Sequence, residues 1–116
     1  MNEAIREVLG EAGAPPLPEP LAGSIVDSHT HLDTVQDVVG IEPAISLAAA
    51  REVGVTRIAQ IGCDIAGSEF AEELARTHKN VIAAVAIHPN DAARLGRKKI
   101  GDALKRIDEL ANVGNH

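Results

Sequence analysis

The sequence has 116 residues, the size of one small domain, and 45% of them are hydrophobic, which is enough for a core and excludes wholesale disorder. Its formal net charge of −6 argues against nonspecific binding of nucleic acid through many Lys and Arg side chains. This charge is still compatible with an enzyme that binds phosphate through a metal ion. With Cys63 as the single cysteine, an internal disulfide is excluded and a cytoplasmic protein is expected; no apolar run has the length of a membrane span.

Residues 1–23 are predicted to form a Pro-rich N-terminal extension without chemistry of its own. Residues 3–12 have the composition of a short helix that Gly13 ends, and the APPLPEP segment after it contains four prolines, which favour an extended chain. Terminal segments of this kind are commonly poorly ordered, and we expect that here. The folded part of the chain is therefore predicted to be 24–116.

Strands and helices are predicted to alternate along the rest of the chain. Three β-branched or uninterrupted apolar runs predict strands, the first buried and the third covered on both faces: 24–28, 55–62 and 81–87. Apolar side chains at helical spacing predict three helices: 41–53, 68–79 and 98–111. This alternation predicts an α/β fold with a parallel sheet and right-handed crossovers. The pattern alone does not separate a doubly wound sheet from a β/α barrel.

Two details of these helices can be compared directly with a structure. The second helix is predicted to begin at Ser68, a residue type favoured at helix N-caps. The third is predicted to bury one stripe of side chains, which comprises Ile100, Leu104, Ile107 and Ala111.

Polar side chains follow each predicted strand. His29 and His31 come after the first, Cys63 and Asp64 after the second, and His88 after the third. The carboxyl ends of parallel strands meet at one edge of a sheet, where functional groups of α/β folds gather. On its own, however, Asp64 is compatible with a simple helix cap, Cys63 with a small buried side chain, and His88 with a loop histidine.

The stretch VDSHTHLD carries the strongest chemical signal. Extended backbone has a side-chain period of two, so Asp27, His29, His31 and Asp33 are predicted to point to the same side. Two imidazoles at that spacing can reach one metal ion at about 2.0–2.1 Å. A His-x-His pair alone would be typical of surface histidines, but its place in this alternating polar stretch after a strand favours a metal site. Either aspartate could accept the second ring N–H of a histidine and fix its tautomer.

Together, VDSHTHLD, GVTRIAQIGCD and AVAIHPNDA resemble the start of the TatD family of metal-dependent hydrolases, over about residues 24–112. The resemblance implies a TIM-type β/α barrel, of which this chain would form the first three βα units, with one or two divalent ions of the Mg, Mn or Zn class. His29 and His31 would be metal ligands, and His88 and Asp64 are the candidates for lying near the substrate. The implied reaction is hydrolysis of phosphodiester bonds in DNA by a metal-activated water, as in a deoxyribonuclease.

The family pattern continues with Gly-Glu-x-Gly-Leu-Asp, then two histidines and an aspartate, and none of these occurs here. A β/α barrel takes about 250 residues, and catalytic zinc normally has three protein ligands. We therefore expect an amino-terminal portion that has no catalytic residue of its own and is inactive alone. Two alternatives remain open. One is another amidohydrolase-like or phosphoesterase metal hydrolase, and the other is a non-catalytic fragment that binds a metal or a partner.

Overall fold

The computed structural model describes residues 3–113, in which parallel strands alternate with helices. In chain order the elements are α1 (Glu3–Glu11), β1 (Ile25–Thr30), α2 (Leu32–Val39), α3 (Pro43–Glu52), β2 (Val55–Ile61), α4 (Ile65–Thr77), β3 (Val81–Ala84) and α5 (Pro89–Ala111). None of the helices in this part of the chain combines the length and apolar character needed to cross a membrane. The described residues divide into two compact units: 3–27 with 31–57, and 28–30 with 58–113.

The three strands form one sheet in the order β1-β2-β3. β2 and β3 run parallel, with Ile58 opposite Val81 and Ile61 opposite Ala84. At the start of β1, the backbone N–H of Ile25 donates to the carbonyl of Gly54 at 2.9 Å. A parallel sheet that alternates with helices matches the first βα units of a TIM-type barrel, so the predicted α/β class is confirmed.

In the first unit, α1 packs against α3. Leu9 is buried with Ile41 and Ala49, and a shell of partly buried side chains surrounds this cluster: Ile5, Ala12, Ala14, Leu17, Val35 and Ile45. The expectation of a poorly ordered extension is therefore wrong for the described residues 3–17. Ile5 and Leu9, four residues apart, give α1 an apolar stripe that is buried against α3.

Helix α2 was not expected from the sequence. It ends at Gly40, whose φ of 78° is left-handed and whose N–H donates to the carbonyl of Gln36 at 2.9 Å. The next helix, α3, begins at Pro43, which has no backbone N–H to leave unpaired in the first turn. Gly54, just after α3, has a φ of 99°, and a Cβ there would lie 3.0 Å from the carbonyl oxygen of Gly23.

The burial of two strands differs from the prediction. Ile25 and Val26 in β1, which point to opposite faces of the sheet, are 47% and 56% exposed, so neither face is covered there. In β3, Val81 and Ala83 are buried whereas Ile82 is 51% exposed. The first strand is therefore not buried, and the third is covered on one face rather than two.

In the second unit, α4 packs against β3 and α5. The buried apolar side chains of these elements are mostly small: Ala71, Leu74, Ala75, Val81, Ala83, Ala103 and Leu110. α5 is interrupted at Gly96, where φ is 73° and ψ is 176°. The predicted stripe of α5 is wrong at Leu104, which is 54% exposed, and at Ala111, which is also exposed, because the buried face passes through Ala103 and Leu110 instead.

Candidate metal and substrate site

The two histidines of VDSHTHLD lie on either side of the end of β1. His29 is an exposed residue within the strand, which continues to Thr30. His31 follows the strand directly and is the N-cap of α2, where its carbonyl accepts the N–H of Val35 at 3.2 Å. Its side chain makes no capping hydrogen bond to the helix. The prediction that both histidines follow the strand is therefore correct only for His31.

The alternation predicted over this stretch stops at the end of the strand. Asp27 and His29 are both in β1 and share its side-chain period. Asp33 lies in the first turn of α2, where a carboxylate is favoured by the helix dipole, so its direction does not follow the strand period. The assignment of Asp27 and Asp33 as acceptors of a histidine ring N–H stays a prediction.

The chemistry of the donor set can be compared with the needs of a divalent ion. Imidazoles such as those of His29 and His31 suit zinc and other first-row ions, but a catalytic zinc site normally has three protein ligands. Between residues 3 and 113, no group of three or more His, Cys, Asp or Glu side chains is arranged to hold a metal ion. The described residues therefore do not form a complete metal site by themselves, and the assignment of His29 and His31 as metal ligands stays a prediction.

Asp64 caps α4. Its Oδ1 accepts the backbone N–H of Gly67 at 2.7 Å, which satisfies one of the amide donors that a helix leaves free at its first turn. This is the structural role that the sequence left open for Asp64. A carboxylate whose oxygen is engaged by the helix can still line a substrate cleft, so the two roles are compatible.

His88 is the N-cap of α5 and is exposed. Its Nδ1 accepts the backbone N–H of Asn90 at 3.1 Å. A neutral imidazole that accepts at Nδ1 carries its proton on Nε2. While it makes this cap, His88 is therefore a hydrogen-bond donor at Nε2 rather than a metal ligand at that atom.

The carboxyl ends of β2 and β3 meet as the sequence predicted. The N–H of Gly62 donates to the carbonyl of Ala84 at 2.8 Å, and the N–H of His88 donates to the carbonyl of Cys63 at 2.7 Å. The second bond brings the backbone after β2 directly against His88, which lies four residues after the observed end of β3 at Ala84. His88 is thus fixed by two hydrogen bonds: its backbone N–H donates to the carbonyl of Cys63, and its ring accepts the N–H of Asn90.

Sequence reasoning missed the part played by Ser68. It does not begin α4, which starts at Ile65 after its cap Asp64, but lies one turn inside the helix and is fully buried. Its hydroxyl bonds both the N–H and the carbonyl of Ala86, at 3.0 and 3.1 Å. The signal for the earlier start was Asp64 itself, an N-cap residue type three positions before the buried Gly67.

Comparison with known proteins extends the similarity over most of the chain. A family model described as TatD related DNase matches residues 26–115. A curated protein from Mycobacterium tuberculosis, an uncharacterized metal-dependent hydrolase TatD, is 34% identical over 73 residues, which cover 61% of this chain and 27% of that protein. The chain thus spans about a quarter of the length of the curated relative that it matches.

Proposed function

Because the chain belongs to the TatD-related DNase family, we propose that it forms the amino-terminal part of a metal-dependent hydrolase that cleaves phosphodiester bonds in DNA. The observation that carries the proposal is the family match over residues 26–115, which includes His29, His31 and His88. The relative from Mycobacterium tuberculosis, named a metal-dependent hydrolase, supports the reaction type. DNA as the substrate rests on the description of the family as TatD related DNase.

His29 and His31 are assigned to binding a divalent ion of the Mg, Mn or Zn class. Their position at the carboxyl end of β1 supports this, because the functional groups of β/α barrels lie at that end of the strands. The remaining ligands would come from residues beyond this pair. Such an ion, when bound, supplies Lewis acidity toward a phosphoryl oxygen and a water nucleophile.

His88 is assigned to the substrate. With Nδ1 occupied by the N–H of Asn90, the proton on Nε2 is available to a phosphate oxygen, and the exposure of the ring leaves room for that contact. Asp64 is the second candidate near the substrate. It lines a groove at the start of α4 together with Asp91, Arg94 and Lys99, where Arg94 is ion-paired with Asp91 at 3.2 Å. Arginine and lysine are the residue types that contact DNA phosphates.

The metal assignment is tested by calorimetric titration with Mn²⁺ and Zn²⁺. We expect His29→Ala and His31→Ala each to lower the affinity by at least about tenfold, because each removes a ligand. His78→Ala is the matched control, since His78 caps the far end of α4, where its ring contacts the carbonyl of Leu74. Unchanged affinity in both ligand variants would contradict the assignment.

The nuclease activity is tested on end-labelled DNA with Mg²⁺ or Mn²⁺, using this chain beside a form that continues through the later strands of the family pattern. We expect the longer form to release nucleotides, a chelator to abolish the reaction, and the 116-residue chain to be inactive. Hydrolysis by the short chain at the same rate would disprove the idea that further ligands are required. A longer form that cleaves no DNA would remove DNA as the substrate.

The cellular setting is a further part of the proposal. A chain with one cysteine, Cys63, is suited to a reducing compartment, and we propose a cytoplasmic location. Fractionation of cells that express the protein would test this directly. Recovery of the protein mainly outside the cytoplasmic fraction would contradict it.

A further inference from the structure

The turn that joins β3 to α5 is held by a buried hydroxyl. Ser68 Oγ accepts the N–H of Ala86 at 3.0 Å and donates to the carbonyl of the same residue at 3.1 Å. A hydroxyl has one donor and two lone pairs, so one serine can satisfy both backbone groups of a peptide segment. Ser68 has no exposed surface, so water cannot replace it without rearrangement.

Gly62 lets the hydroxyl reach the turn. A Cβ on Gly62 would lie 2.5 Å from Ser68 Oγ and 2.6 Å from Ser68 Cα, so only glycine allows α4 to approach this closely. The N–H of Gly62 also donates to the carbonyl of Ala84. Gly62, Ser68 and the backbone of residues 84–86 therefore form one locked junction, which we call the Ser68 clamp.

The clamp ends two residues before His88. The backbone N–H of His88 donates to the carbonyl of Cys63, which follows Gly62. The turn is therefore restrained at His88 by the segment after β2 and at Ala86 by Ser68 of α4. Movement of Ala86 would shift the backbone of His88 two residues later, and with it the position of the His88 ring. The ring's own bond to Asn90 lies on the helix side and does not restrain Ala86.

We propose that Ser68 is a positioning residue that sets where the His88 imidazole lies, through its two hydrogen bonds to Ala86. The inference rests on the proposed function, because His88 matters for the reaction only if it contacts the substrate. Ser68 itself is buried and touches no substrate. Its contribution is to limit the number of positions that the imidazole samples, which is how remote residues affect catalysis by orientation.

Nuclear magnetic resonance on this chain tests the clamp, with Ser68→Ala compared to Ser46→Ala. The two serines are matched: each is the fourth residue after its N-cap, and each N–H donates to the carbonyl of that cap, Asp64 or Glu42. In Ser68→Ala we expect amide exchange at Ala86 to accelerate by about tenfold, as loss of the hydrogen bond that protects this amide implies. We also expect the His88 imidazole signals to shift and broaden, whereas Ser46→Ala leaves both observables unchanged.

A second variant covers the case in which Ser68→Ala fails to fold. Ser68→Cys keeps a side chain of the same shape with a somewhat larger atom, and it offers only a weak donor and a weak acceptor, so its effects on Ala86 and His88 should lie between wild type and Ser68→Ala. In the longer form, Ser68→Ala should lower kcat more than it raises KM. Folded Ser68 variants with wild-type exchange at Ala86, or with unmoved His88 signals, would overturn the proposal.

The two proposals fail in different ways. If His88→Ala leaves DNA hydrolysis by the longer form unchanged, the assignment of His88 to the substrate is wrong, while the resonance data on the Ser68 clamp are unaffected. If Ser68→Ala leaves the His88 signals in place while His88→Ala abolishes hydrolysis, the positioning claim is wrong and the proposed function stands.

Discussion

Replacement of Gly62 by alanine tests the close approach of α4 to the end of β2. The added Cβ would meet three atoms of Ser68, namely Oγ, Cα and N, at 2.5, 2.6 and 2.7 Å. These distances are about 1 Å inside the normal contact of roughly 3.5–4.0 Å between heavy atoms. Two of the three atoms are backbone, so a side-chain rotation cannot relieve the overlap and α4 has to move.

The expected magnitude follows from two opposing effects. Gly62 does not have a positive φ, so alanine there would by itself stabilise the fold by about 0.4–1 kcal/mol through the unfolded chain. Overpacking of a closely packed site costs about 1–3 kcal/mol or more. With the backbone of α4 involved, we expect a net loss of about 2 kcal/mol in the free energy of unfolding, or roughly 8 °C in Tm.

Urea denaturation followed by circular dichroism measures this loss as a shift in midpoint at constant slope. Gly101→Ala is the control, because Gly101 lies in α5 where an added Cβ would meet no atom within 4 Å outside its own helix backbone, and it should stabilise the helix by about 0.5–1 kcal/mol. The double variant Gly62→Ala with Ser68→Ala should not recover stability, since the overlaps with Cα and N persist. A stable Gly62→Ala protein would refute the reasoning.

Two further substitutions test local features of the fold. Leu9→Ala should destabilise the chain by about 2–3 kcal/mol in urea denaturation, because Leu9 is buried in the cluster between α1 and α3. Val8→Ala is the control: its side chain is 37% exposed, so it should have less than half that effect. Equal effects of the two variants would argue against packing of α1. Asp64→Ala should lower Tm through loss of about 1 kcal/mol of helix capping, and Asp64→Asn should restore most of it, which a thermal melt can compare. If the asparagine variant melts with the alanine variant, charge rather than capping is responsible.

Local patterns in the sequence predicted several elements closely. The β-branched run over 55–62 became β2, and the apolar spacing over 41–53 became α3, because both signals are read from neighbouring residues alone. The start of helix α2 was missed because the alternation of polar residues predicted extended backbone as far as Asp33, whereas the helix begins at Leu32. Leu32 and Val35, with Gly40 as a stop, carried the competing helical signal.

Other features depend on residues far apart in the chain and could not be read locally. The exposure of Ile25 depends on which distant elements cover the faces of β1, which no stretch of sequence specifies. The residues expected at strand ends were correctly placed for Cys63 and His88, since parallel topology predicts that meeting. The bonds of Ser68 to Ala86, across 18 residues, required the three-dimensional junction to be known.

The break at Gly96 gives α5 a second beginning. A new helical segment starts after it with three cations in its first turn, Arg97, Lys98 and Lys99, where the exposed amides already present positive partial charge. Electrostatic repulsion at that turn weakens the segment, so added salt, which screens these charges, should raise the helical ellipticity of the protein.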